Sequence, residues 1–136
     1  MGKPCSTTGT IGPAGSNRSK RSESNRWLGP VAHDELPALV ASAGVFAFPA
    51  TKEGFELAAM EALAAGVPVV VSNLPVLPEI FSGAARFTED PEELAAHLLT
   101  GLVDPDPGAR EAGQALAARY TWPAAAQRHL DLYQRL

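Results

Sequence analysis

An α/β fold, with a Rossmann-like parallel sheet and flanking helices, is predicted by three features of this sequence. Short apolar runs alternate with helix-forming segments along residues 26–136, an order that gives a parallel sheet covered by its own crossovers. One whole βαβ unit is written in Val45–Val71. It runs Val45-Phe46-Ala47-Phe48, a polar turn Pro49–Gly54, helix-forming Phe55–Ala65, Gly66 as a stop, and Val67–Val71. Both strand segments are apolar on both faces, as strands of a covered parallel sheet are.

The elements follow in order. Residues 1–25 are mostly Gly, Ser, Thr, Asn and basic side chains with almost nothing to bury, so a disordered leader is expected there. Gly9, Gly12 and Gly15 recur at every third position, yet no phosphate-loop motif results. Residues 26–136 form the single domain. Arg26-Trp27-Leu28-Gly29 reads as a short strand ending at Gly29-Pro30. Asp34-Glu35-Leu36-Pro37 opens a helix with acids and a proline in its first turn, striped by Leu36, Leu39 and Val40 and ended by Gly44.

After the βαβ unit, Asn73–Phe81 reads as a loop with one helical turn, and Ala85–Thr88 as a short edge strand. Asp90-Pro91-Glu92-Glu93 starts a helix carrying Leu94, Leu98 and Leu102. Asp104–Gly108 breaks the chain, and Ala109–Tyr120 is helical with Ala112, Leu116 and Tyr120 on one face. Thr121-Trp122-Pro123 caps a last helix in which Ala126, Leu130 and Tyr133 line up. Each stripe is expected to be core packing, around a sheet of about four strands.

Composition narrows the function. No apolar run approaches the ~18 residues that cross a membrane, and the start lacks the apolar centre of a secretory signal. A single cysteine, Cys5, excludes an internal disulfide and a Cys-pair metal site, and a cytoplasmic location is expected. Residues 1–26 hold five basic side chains and one acid, about +4, which leaves six basic and fourteen acidic groups, −8, on the other 110 residues. An acidic body without a basic stripe argues against a nucleic-acid partner. His33, His97 and His129 are scattered with no second ligand at useful spacing, so no metal is expected. No nucleophile–histidine arrangement stands out either.

The sharpest chemistry lies between the two strands of the βαβ unit. Glu61 is the one polar residue in Leu57–Ala65. A helix apolar all round is packed on several sides, so Glu61 is expected to be buried or to face a crevice. Glu53 stands where the loop leaves the carboxyl end of a strand, the edge at which parallel sheets gather ligands. The free N–H groups of the following helix start favour an anion there. Two carboxylates flanking such a start suit a ligand with both hydroxyls and phosphate. The alternative is a solvated Glu53 and a Glu61 satisfied by a neighbouring loop. Lys52 lies near the same crevice, and Asn73 and Glu79, in the loop after the next strand, are second-rank candidates.

The run Glu53-Gly54-Phe55-Glu56-Leu57-Ala58-Ala59-Met60-Glu61-Ala62 resembles the E-x7-E motif of retaining family 4, or "group 1", glycosyltransferases of GT-B fold. Trp27-Leu28-Gly29 with Asp34–Pro37, Ala64–Val70, Thr121-Trp122 and Leu132-Tyr133 extend the similarity over about residues 26–136. The resemblance implies part of the C-terminal, donor-binding domain of such an enzyme, which binds a nucleotide-diphosphate sugar without a bound metal or other cofactor. Glu53 would be the catalytic-site carboxylate on the donor sugar's hydroxyls, and Glu61 would hold the ribose. The backbone of Gly54, Phe55, Glu56 and Leu57 would approach sugar and diphosphate.

Two departures from the family pattern stand out. The family usually has Gly-Phe-Gly-Leu where this chain has Gly54-Phe55-Glu56-Leu57. Glu56 would bring bulk and negative charge towards a diphosphate, or else point to solvent and steady the helix's first turn through its dipole. The resemblance also leaves out the acceptor-binding domain and the strands bearing the cations that neutralise the diphosphate. Activity of these residues alone is therefore expected to be very low. The competing expectations are an inactive remnant or nucleotide-binding module, working with a separate acceptor-domain chain, and an unrelated Rossmann-like regulatory domain.

Overall fold

A computed structural model of the chain describes residues 26–136; the leader expected over residues 1–25 lies outside them. Residues 26–30 belong to a separate unit from Val31–Leu136. The strand expected at Arg26–Gly29 does not form. Gly29 sits at φ 70°, which turns the chain.

The second unit is a three-stranded parallel sheet in the order β1-β2-β3 with flanking helices. Its elements are α1 (Leu36–Ala41), β1 (Phe46–Phe48), α2 (Leu57–Ala64), β2 (Val69–Ser72), α3 (Leu77–Phe81), β3 (Arg86–Thr88), α4 (Pro91–Val103), α5 (Pro107–Ala117) and α6 (Trp122–Tyr133). Phe46 pairs with Val69 and Phe48 with Val71; Val70 pairs with Arg86 and Ser72 with Thr88. Among the described residues three strands form where the sequence led to an expectation of about four. β3 is at the edge, as its length suggested.

β2 is central and reads Val-Val-Val-Ser, its three valines at most 2 % exposed. Stiff branched side chains suit a strand covered on both faces. Val69 and Val71 share one face and join Met60, Leu63, Leu77 and Phe81 in the core. Pro68 precedes β2 and its carbonyl still accepts from Phe46 N–H at 2.8 Å.

The starts of α4 and α6 follow their sequence signals, whereas Asp104–Gly108, expected to break the chain, already starts α5 at Pro107. Asp90 accepts from Glu93 N–H, Asp106 from Gly108 N–H and Thr121 from Ala124 N–H, each with proline in the first two helical positions. The apolar stripes fare less well. Leu102 on α4 is exposed, and α6 buries no residue at all, so Leu130 and Tyr133 are surface side chains rather than core. Three short strands offer too little area to cover six helices.

Small residues set the helix contacts. A Cβ on Gly113 of α5 would lie 2.7 Å from Leu63 Cδ2, and Leu63 is itself buried in α2. Gly113→Ala is therefore expected to push α5 off α2 and cost about 1–3 kcal/mol, measured as a lower midpoint in urea denaturation. A midpoint equal to the parent's would show that the α2–α5 approach is slack.

Candidate functional site

All three strands run the same way, so the loops after them, residues 49–56, 73–76 and 89–90, open on one edge of the sheet. The first loop carries the residues singled out from sequence. Lys52, Glu53 and Gly54 are exposed, and a Cβ on Gly54 would meet nothing within 4 Å. Phe55 is half-buried, its ring tilted 58° against Tyr120 with centroids 5.2 Å apart. This pair ties the loop to the far end of α5.

Glu56 departs from the expectation that it points to solvent. It is only 4 % exposed, and neither Oε1 nor Oε2 has a hydrogen-bond partner. Burial, with a smaller push from the charge of Glu53, raises its carboxyl from 4.5 to about 7. An ionised carboxylate loses its hydration there with no compensating donor, so the neutral form is favoured. Glu56 does not steady the helix from solvent. Its backbone stands at φ 61°, ψ 64°, the one non-glycine residue at positive φ among those described. Such a conformation costs a side-chain-bearing residue about 1–2 kcal/mol.

Glu56 is the N-cap of α2, yet its side chain makes no capping bond. Among the described residues the first N–H groups of α2 therefore have no side-chain acceptor, and they face the same edge as Glu53. Leu57, the first helical residue, is exposed.

Glu61 is exposed rather than buried, one turn along α2. It borders two grooves. One, of about 440 Å³, runs between α1 and α2 past His33, Leu36 and Val40. The other, of about 390 Å³, is walled by Phe55, Arg119, Tyr120, Trp122 and Arg128. Glu53 lines neither of them. The sequence reading placed only Lys52 as a cation near the crevice, and it missed both arginines. They lie on segments read as core-packing helices, and nothing local to either marks a site.

Asn73 borders a different and larger cavity, about 630 Å³, formed with Pro49, Ser72, Thr88 and Asp90 at the ends of the three strands. Its Nδ2 donates to Glu89 Oε1 at 2.8 Å. Thr88 is buried and its hydroxyl donates to the Asp90 carbonyl at 2.8 Å. Glu79 is exposed in the first turn of α3 and borders neither Glu61's grooves nor this cavity. The structure thus sets Glu53, Gly54, Phe55, Glu56 and Leu57 in one loop-to-helix joint, brings Glu61 to an adjoining groove, places Asn73 in the strand-end cavity with Ala50 and Thr51 of the same loop, and leaves Glu79 apart. Among the described residues no three His, Cys, Asp or Glu side chains gather as a metal site, and no helix is long and apolar enough to cross a membrane.

Comparison with known proteins adds the family. A family model described as "Glycosyl transferases group 1" matches residues 10–104. O-antigen chain mannosyltransferase B of Escherichia coli is 37% identical over 116 residues, covering 82% of this chain and 30% of that protein. D-inositol 3-phosphate glycosyltransferase of Corynebacterium diphtheriae is 36% identical, covering 79% of this chain and 27% of its own length. Glycogen synthase of Mycobacterium tuberculosis is 35% identical over 115 residues, 79% of this chain and 28% of the relative. The chain spans less than a third of the length of each of these relatives.

Proposed function

Because the chain belongs to the group 1 glycosyltransferases, we propose that it binds a nucleotide-diphosphate sugar and serves the transfer of that sugar to an acceptor with retention of anomeric configuration. The observation that carries this is the joint between β1 and α2. An exposed carboxylate, Glu53, precedes a helix start whose N–H groups no side chain occupies. Carboxylates accept hydrogen bonds from sugar hydroxyls, and helix starts accept phosphate oxygens. In this reading Glu53 holds and orients the transferred sugar beside the reacting carbon. The backbone from Gly54 to Leu57 receives the diphosphate and Glu61 accepts from the ribose hydroxyls. A location in the cytoplasm agrees with the one-cysteine composition.

Glu56 adjusts this site rather than abolishing it. Its carboxyl is neutral below about pH 7, which spares a diphosphate the repulsion that the sequence alone suggests.

Titration of the 136-residue chain with UDP-, GDP- and ADP-sugars by calorimetry tests the reading. Saturable binding of one of them is expected, weakened about tenfold or more by Glu53→Gln and by Glu61→Ala, since each loses hydrogen bonds to a charged group. Binding indifferent to both substitutions would sink it. Transfer needs an acceptor held against the donor in reacting geometry. Turnover by these residues alone is accordingly expected to be very low, and a second chain supplying the acceptor side is the partner class this reading implies. Rapid turnover by the purified chain with acceptors present would refute it.

A further inference from the structure

Glu56 is held where neither its backbone nor its side chain is at ease. Its carboxyl is 4 % exposed, and among the described residues neither oxygen has a hydrogen-bond partner. Its backbone stands at φ 61° immediately before α2, a region that glycine fills without strain. Each of these works against folding. Residues held against stability in this way gather where ligands are bound. The position is the head of an eight-residue helix whose first N–H groups no described side chain occupies, on the same loop as the exposed Glu53.

The surroundings decide what this carboxyl can do. The titratable groups around the joint are Lys52 and Glu53 on the loop, Glu61 on α2, and Arg119 and Tyr120 beyond α5. α1, β1 and β2, which pack against α2, carry none, and Arg110 of α5, with Glu111 next to it in the chain, lies against Gly66 at the far end of α2. Burial, with the charge of Glu53, holds the Glu56 carboxyl up at about 7, and no cation among the described residues pairs with it. A phosphate arriving at the N–H groups of α2 adds negative charge beside two carboxyls. Ionised, Glu56 opposes that arrival across a poorly hydrated gap. Protonated, it opposes nothing and gains an O–H that can donate to a phosphate oxygen.

We propose that the site takes up a proton with its ligand: a phosphate-bearing molecule at the start of α2 is bound together with a proton on the Glu56 carboxyl. The assignment rests on the donor-binding reading above and adds to that site a proton it must hold. Well below pH 7 the free carboxyl already carries this proton, so affinity is full and level there. Above that pH the proton has to be gathered on binding, and affinity falls by about tenfold for each further pH unit. A sugar without phosphate brings no charge to the joint and needs no proton.

The test titrates the 136-residue chain with UDP-glucose, GDP-mannose and ADP-glucose by calorimetry from pH 6 to pH 8, and at pH 8 in buffers of different ionisation enthalpy. The diphosphate of a nucleotide sugar is esterified at both ends and lacks the secondary ionisation of a phosphate monoester, near pH 6, so a proton gained on binding goes to the protein. At least one probe is expected to bind about tenfold more weakly at pH 8 than at pH 6, with uptake of about one proton per ligand at pH 8. Glu56→Gln keeps the size of the side chain and removes the proton site. Its affinity should be level over this range, with no uptake, and without the buried charge it should be no less stable than the parent at pH 8. Uptake that persists in Glu56→Gln would place the proton elsewhere, for instance on His33 beside Glu61's groove, and would overturn the proposal. Saturable binding by the parent with equal affinity at pH 6 and pH 8 would overturn it while leaving the donor reading standing. Failure of all three probes to bind the folded chain would overturn both.

Discussion

Replacing Glu56 with glycine is expected to stabilise the protein by on the order of 3 kcal/mol at pH 8 and by little at pH 4. A carboxyl whose value rises from 4.5 to about 7 on folding favours the folded state only while protonated. At pH 4 both states hold the proton and the group is neutral in either. As pH rises past 4.5 the unfolded chain releases its proton and the folded one does not, so stability falls until about pH 7 and is level above it. The conversion of 1.36 kcal/mol per pH unit sets the size of the effect. Glycine also accepts φ 61° without strain, a gain offset by its greater freedom in the unfolded chain. Glu56→Gln separates the two contributions, since it removes the charge and keeps the strain. Urea midpoints from pH 4 to pH 8 should decline for the parent and stay flat for both variants. Parallel declines would mean that Glu56 is hydrated after all.

How far the sequence reached is seen by comparing residues that sit close together. The βαβ order of Val45–Val71 and the helix starts at Asp90-Pro91 and Thr121-Trp122-Pro123 are local signals, set by periodicity, caps and proline geometry, and they formed, whereas Asp106-Pro107, read as part of a break, starts a helix as well. The state of Glu56 is not local. Its positive φ and the burial of its carboxyl depend on what packs over the joint. The groove beside Glu61 is further still from view. It needs α2 and the α5–α6 turn to converge, and their residues are far apart in the chain. The stripe on α6 failed for a related reason: periodicity says which side chains share a face, not whether anything covers that face.

Glu61 illustrates the same limit within one helix. An all-apolar surrounding run predicted burial or a crevice, and α2 does bury Ala59, Met60, Ala62 and Leu63. The intervening Glu61 takes the remaining direction, towards the grooves. Its position in the sequence identified it as a candidate, and the structure adds Arg119 and Arg128 to the wall of one groove that it borders.

The largest loss of stability is expected from Phe81→Ala, roughly 3–5 kcal/mol, a large share of the 5–15 kcal/mol typical of a whole domain. Phe81 is fully buried and among the largest side chains to be so. It belongs to α3, five residues long, with Pro78 inside it and no side-chain cap. A helix that short cannot hold itself; Leu77 and Phe81 anchor it to the core that contains Val69 and Val71. Removing the ring opens a cavity against the central strand and frees the segment after Asn73, whose N–H donates to the Thr88 carbonyl at 2.8 Å. Hydrogen exchange should therefore show α3 losing protection before α2. Glu61→Ala, at an exposed position, is expected to stay within about 0.5 kcal/mol of the parent while losing donor affinity. The two substitutions thus separate fold from site. An unchanged urea midpoint for Phe81→Ala would mean that the core closes around β2 without α3, and that the loop at this edge is fixed by β3 alone.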